Sequence, residues 1–150
     1  MSKNSERKLK FELIPAGCWK CNLHTILSKE AWDFIKKDVK IRAEGKCSIF
    51  GKKTDKLDAH EVWSYDEKKG VQKLENVIAV CKDCHNAIHI CRTQAVGDAK
   101  RAEDHYMKVN GCSYAEMRKD MGDANDYNER LSKVGEWRQD LSFLKRYINN

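Results

Sequence analysis

A chain of 150 residues with 41% hydrophobic and 35% charged side chains buries a thin core, which suits one domain and favours a metal staple. The formal net charge is +6, and residues 1–58 hold the whole surplus, with fourteen Lys and Arg against eight Asp and Glu. No segment approaches the eighteen or so consecutive apolar residues of a membrane span, and Met1 to Lys10 has no apolar signal-peptide stretch, so the expected location is the cytoplasm.

Met1 to Lys10 is polar and is expected to be a flexible basic tail, leaving residues 11–150 as a single domain. From Ser28, a helix-opening residue, Trp32, Ile35 and Val39 recur at helical spacing, with Ala31 and Phe34 widening the face and Gly45 as a stop. Lys36, Lys37 and Lys40 decorate the rest of that helix. They are candidate nucleic-acid contacts, against the plainer reading of a solvated face. Leu57 to Trp63 and Val71 to Val80 are rich in strand formers and predict a β-hairpin with a long connection, Ser64 to Gly70. Cys81 then opens a helical stretch, CKDCHNAIHICRTQ, that places His85 and His89 one turn apart. A further helix is expected from about Gly97 to Val109, closed by Asn110-Gly111. The next opens at Ser113 with a Ser113/Glu116 capping box. Trp137, Leu141, Phe143 and Leu144 are expected to fold back onto the body, and Trp19, Trp32 and Trp137 to sit in the core or at its rim.

Seven cysteines in a reducing compartment need an explanation other than disulfides. Two C-x-x-C pairs, Cys18/Cys21 and Cys81/Cys84, suggest metal or redox work. Cys91 and Cys112 fall in no motif and are expected to be small buried hydrophobes. The informative stretch runs from Leu57 to His89, within a motif core of about residues 46–92. Two histidines four apart on a helix point the same way and can share one ion. His60 on the adjacent strand supplies a third ligand and leaves coordination positions open, as metal-assisted phosphodiester hydrolysis requires. Singly, each of these residues has a bland explanation; jointly they predict a divalent-metal site of His60, His85 and His89.

Three stretches in order, IPAGCWKCNL, HEVWSYDEKKGVQKL and CKDCHNAIH, resemble a bacterial and phage family of HNH endonuclease-like proteins. KVNG at Lys108 to Gly111 and EWRQDLSFL at Glu136 to Leu144 extend the resemblance from about Glu12 to Leu144. It implies an α+β fold with a ββα-metal (HNH/His-Me finger) core flanked by helices, and a metal-dependent endonuclease; the expected partner is nucleic acid, with DNA favoured over RNA although the sequence does not distinguish them. By comparison with colicin-type HNH nucleases, His60, His85 and His89 match the ligands of the catalytic ion (Mg, Mn, Ni or Zn). Glu61 stands at the general-base position, where histidine is usual, and Asn76 matches the residue that orients the base. The resemblance also implies a structural zinc braced by two C-x-x-C pairs. Cys81 and Cys84 match the second pair, and Cys47 begins the first, but Phe50 stands where its partner belongs. Cys21 is the expected fourth ligand; the alternatives are that Cys18 and Cys21 donate together, or that the site is lost and Phe50 fills it. The rival readings are a catalytically silent HNH-fold protein, phage-encoded and binding nucleic acid or a host protein, and a zinc-braced interaction module.

Overall fold

Alternation of apolar residues from Leu57 and from Val71 builds a long antiparallel hairpin. Strand β1 spans Leu57–Asp66 and β2 spans Val71–Cys81. The computed structural model describes residues 7–147. The register pairs Leu57 with Cys81 and His60 with Ile78, and shifts by a bulge at Val62/Trp63 before ending at Asp66 opposite Val71. The connection is thus shorter than the sequence suggested. Tyr65 and Asp66 continue the ladder, and the Asp66 carboxylate accepts the amides of Lys68 and Lys69 to close the turn. Gly70, at φ +66°, takes the left-handed position that a Cβ would strain.

The C-terminal segment does fold back, and it does so as a strand. β3, Arg138–Asp140, runs parallel to β2 from Val71 onward and completes a three-stranded sheet. Its Gln139 side chain donates to the Cys21 carbonyl and to the Gln72 amide oxygen, tying β3 to the N-terminal loop. Beside it, Trp137 lies edge-on to Tyr65 and so close to Gly17 that a Cβ there would sit 2.8 Å from the indole. The IPAGCWKCNL and EWRQDLSFL stretches therefore meet in space, and Gly17 is the residue that permits it.

Among the described residues six α-helices accompany the sheet: α1 Leu23–Ile26, α2 Lys29–Arg42, α3 Lys82–Ile88, α4 Ile90–Ala95, α5 Ala99–Asn110 and α6 Tyr114–Leu131. The architecture is α+β. Ser28 caps α2 through the Ala31 amide, and Trp32, Ile35 and Val39 are its buried stripe. Phe34 does not widen that stripe. It is 57% exposed and meets Tyr147 edge-on. Ser113 and Glu116 form the capping box of α6, and Gly111 closes α5 in the left-handed conformation.

The stretch expected as one helix after Cys81 breaks at His89, whose φ −95° and ψ 55° lie outside the helical region. Buried Thr93 explains the break, because its hydroxyl donates to the carbonyls of Asn86 and His89. Helices α3 and α4 are therefore two short pieces with the histidine at their joint.

A single cluster of buried side chains runs from Leu9 to Leu144. The expected tail is only partly in view. Met1 to Glu6 lie outside the described residues, but Leu9 is fully buried, its backbone is held by Asn110, and Arg7 pairs with buried Asp120. The same Asp120 accepts the Tyr106 hydroxyl, and Tyr106 stacks on Phe11 at 4.0 Å. Residues 7–10 are thus packed rather than free, and Asn110 of KVNG is their anchor. Trp19 is exposed rather than core, with its indole N–H donating to the Ile14 carbonyl. Cys91 is exposed and Cys112 half-buried, so neither is the buried hydrophobe expected. No helix among the described residues is long and apolar enough to cross a membrane.

Candidate metal centres

Side chains alternate along a strand, so Asp58, His60 and Val62 leave one face of β1 and Glu61 leaves the other. Residues directly opposed across the ladder share a face, which puts Asn76, Ile78 and Val80 with His60. Helix α3 packs on this hairpin and brings His85 and His89 to the same place. One ligand atom from each of His60, His85 and His89 lies within 4.8 Å of the others. Ring centroids stand 5.6, 5.4 and 4.8 Å apart for the 60/85, 60/89 and 85/89 pairs. The break at His89 does not spoil the pairing, since the His89 amide still donates to the His85 carbonyl at 3.1 Å.

The chemistry around this cluster suits cation binding. Burial, together with the two neighbouring imidazoles and Arg92, holds His89 down to about 3. Burial also lowers His85, against the opposing pull of Asp58. Both rings are therefore neutral near pH 7, the form in which imidazole binds metal. Asp58 Oδ2 sits 2.9 Å from His85 Nδ1 and leaves Nε2 as the free donor nitrogen. Lys82 holds the other Asp58 oxygen. The His60 ring, 3% exposed, meets Glu12 through Nε2 and Oε2 at 3.1 Å. Glu12 is itself positioned by backbone, its amide donating to the Ile88 carbonyl at the end of α3.

Glu61 and Asn76 are placed differently from the histidines. Glu61 Oε1 accepts the Leu23 amide at 2.9 Å, capping the first turn of α1 on the sheet face away from His60. Burial raises its carboxyl above the usual range, while bonds from Leu23 and Trp63 pull it back. Asn76 shares the His60 face but is exposed, and its side-chain oxygen accepts the neighbouring Val77 amide.

A second cluster lies at the open end of the hairpin. The thiols of Cys47, Cys81 and Cys84 are all buried and within 4.8 Å of one another. The turn after Cys47 wraps its backbone onto that sulfur, the Phe50 amide donating at 3.4 Å. Hydrogen bonding from Cys84 and from these amides, working against burial, lowers Cys47 to about 4, whereas the interaction with Cys47 and burial push Cys84 far up. The hydrogen bonds favour the thiolate form at Cys47 and the thiol form at Cys84. Cys21 does not belong to this group. It lies near buried Cys18, which burial and Cys21 raise to about 11. Both clusters are compatible with a bound metal ion.

Four residues near the two clusters escaped sequence reasoning. Asp58, two before His60, was readable from strand alternation alone. His105, whose Nε2 is 3.2 Å from Cys84 Sγ, was one of two histidines that no motif absorbed. Glu12 and Arg92 gave no local signal, because only the tertiary fold carries them to the histidines.

No known protein family, curated protein or solved structure matches the chain.

Proposed function

We propose that this chain is a divalent-metal-dependent endonuclease of the HNH type that hydrolyses phosphodiester bonds of DNA, with β1, β2 and α3 as its ββα-metal core. The observation that carries the reading is the convergence of His60, His85 and His89, three imidazole donors from a strand and the following helix. Three ligands on one side of an ion leave the other side for solvent and a phosphate oxygen, unlike a closed structural site. A bound divalent ion would supply charge stabilisation for the scissile phosphate and the leaving oxygen.

The chain's own groups do the positioning. Asp58 fixes the His85 tautomer, Glu12 holds His60, and Arg92 adds positive charge beside the pair of helix histidines. Proton removal from the attacking water needs a base. Glu61 occupies the base position of the resemblance, but it faces α1. Two carboxylates touch the cluster, Asp58 at His85 and Glu12 at His60; Asp58 is also engaged by Lys82, and we assign the base role to Glu12 ahead of Glu61.

The geometry of Glu61 also favours a second reading, that of a catalytically silent scaffold of the same fold that binds nucleic acid or a host protein. A plasmid-nicking assay with magnesium, manganese, nickel and zinc, run beside His89→Ala, tests the two. Metal-dependent nicking lost in the variant supports the nuclease. No nicking with any ion, alongside retained nucleic-acid binding, selects the silent scaffold.

A further inference from the structure

We propose that His105 is the fourth ligand of a zinc site whose other ligands are Cys47, Cys81 and Cys84, so that a Cys3His centre ties α5 to the hairpin. A structural zinc is four-coordinate and tetrahedral, and three thiolates leave one vertex to fill. The sequence offers Phe50 where a fourth cysteine would stand, and the structure keeps Cys21 out of the group. The His105 ring lies beside that vertex, next to Cys84. Zn–S of about 2.3 Å and Zn–N of about 2.0 Å at tetrahedral angles put a ligand nitrogen roughly 3.5 Å from each sulfur. The observed 3.2 Å between Nε2 and Cys84 Sγ is near that separation, and metal binding needs the ring to close further on Cys47 and Cys81.

Its surroundings hold the imidazole beside Cys84. Phe50 meets it edge-on, with centroids 5.1 Å apart and planes 84° apart, and so packs one side of the ring. Helix α5 cannot rotate away, because the next residue, Tyr106, is fully buried on Phe11 and bonded to Asp120. Charge argues the same way. Three thiolates on a dication leave one net negative charge, and a neutral imidazole completes the shell without adding another to a buried site. The Phe50 amide on Cys47 stabilises the charge that remains. The competing interpretation is a plain thiol–imidazole hydrogen bond that no metal replaces.

The experiment uses the full chain as expressed, briefly treated with chelator to clear the more open histidine cluster. Metal analysis should return about one retained zinc per chain. After exchange into 113Cd, long-range 1H–15N spectra should show the His105 ring nitrogen split by the metal. That signal is residue-specific, so cadmium at the other histidines cannot imitate it. His105→Ala should weaken zinc by more than the roughly tenfold typical of a lost outer-sphere partner, and His105→Cys should restore retention with a four-sulfur cadmium resonance. Retained metal with an unsplit His105 ring, zinc affinity unchanged in His105→Ala, or no retained zinc overturns the proposal. If His105→Ala does not fold, the wild-type splitting decides alone.

Discussion

Cys84 and His85 are adjacent in sequence, yet they serve different clusters. Cys84 turns into a sulfur group that is almost wholly buried and closed in by the turn at Phe50. His85 turns into a nitrogen group rimmed by charged side chains, Asp58, Glu12 and Arg92, with two of its three rings only half-buried. The two share one hairpin and one short helix and differ in donor softness and in access. Soft sulfur donors without access make a brace, whereas imidazoles with ionisable neighbours and open positions make a place for chemistry. The closed site also sits one residue before the open one, so whatever fixes Cys84 sets the phase of the helix that presents His85 and His89.

The sharpest way to break this division is to remove one donor from each cluster. His89→Ala should abolish metal-dependent cleavage, because two remaining imidazoles cannot hold an ion against a phosphate, while thermal unfolding stays nearly unchanged. Cys84→Ser should do the reverse, lowering the melting temperature by on the order of 10 °C through loss of the brace. Calorimetry on both variants, with Cys112→Ser as a neutral control, reads the contrast. Equal melting losses from His89→Ala and Cys84→Ser would erase it.

How much of this was legible follows the range over which each signal acts. The α2 stripe of Trp32, Ile35 and Val39, the capping box at Ser113 and the hairpin strands are local patterns, and the fold realises them at those residues. His60, His85 and His89 were legible because a strand residue and an i, i+4 pair are each local and the hairpin joins them. Glu61 shows where adjacency in sequence misleads. It follows His60 directly, and strand alternation therefore sends it to the opposite face, onto the Leu23 amide. The C-x-x-C pattern points to cysteine for the fourth position of the thiol group, whereas the helix packing set by Tyr106 brings His105 of α5 beside Cys84. β3 was missed as a strand because three residues give no periodicity, and its pairing depends on Gln139 finding Gln72.

The carboxylates test the catalytic half of the comparison at a smaller scale. If Glu12 accepts the proton, Glu12→Gln should slow cleavage by about a hundredfold with metal binding retained. Glu61→Gln should instead leave the rate within a fewfold and lower the melting temperature by a few degrees, since the amide still accepts the Leu23 bond but with less charge. Glu61→His, which would raise activity if that position held the base, should lose the cap on α1 and gain no rate. Single-turnover cleavage and melting curves on the three proteins separate chemistry from support, and the opposite ordering of Glu12 and Glu61 would return the base role to Glu61.

The smallest expected effect concerns the basic face of α2. Lys37 and Lys40 are exposed, whereas Lys36 is engaged by Asp33 at 3.3 Å and rests over the Trp32 ring, so it has less charge to offer. Each phosphate that is no longer neutralised reduces the slope of log affinity against log salt by about 0.9. Replacing Lys36, Lys37 and Lys40 with Glu should therefore flatten the slope by the equivalent of roughly two phosphates rather than three, and weaken duplex binding with no preference among sequences. Arg92→Ala gives the comparison, since Arg92 lies beside the histidines rather than on α2. If the histidine cluster is the cleavage site, this substitution should flatten the slope by about one phosphate and lower the cleavage rate as well, because the Arg92 charge lies beside those histidines. A salt titration of both variants, with affinity measured apart from cleavage, reads the difference. An unchanged slope in the triple variant makes the lysines a solvated helix face and confines the nucleic-acid surface to the edge of the histidine cluster.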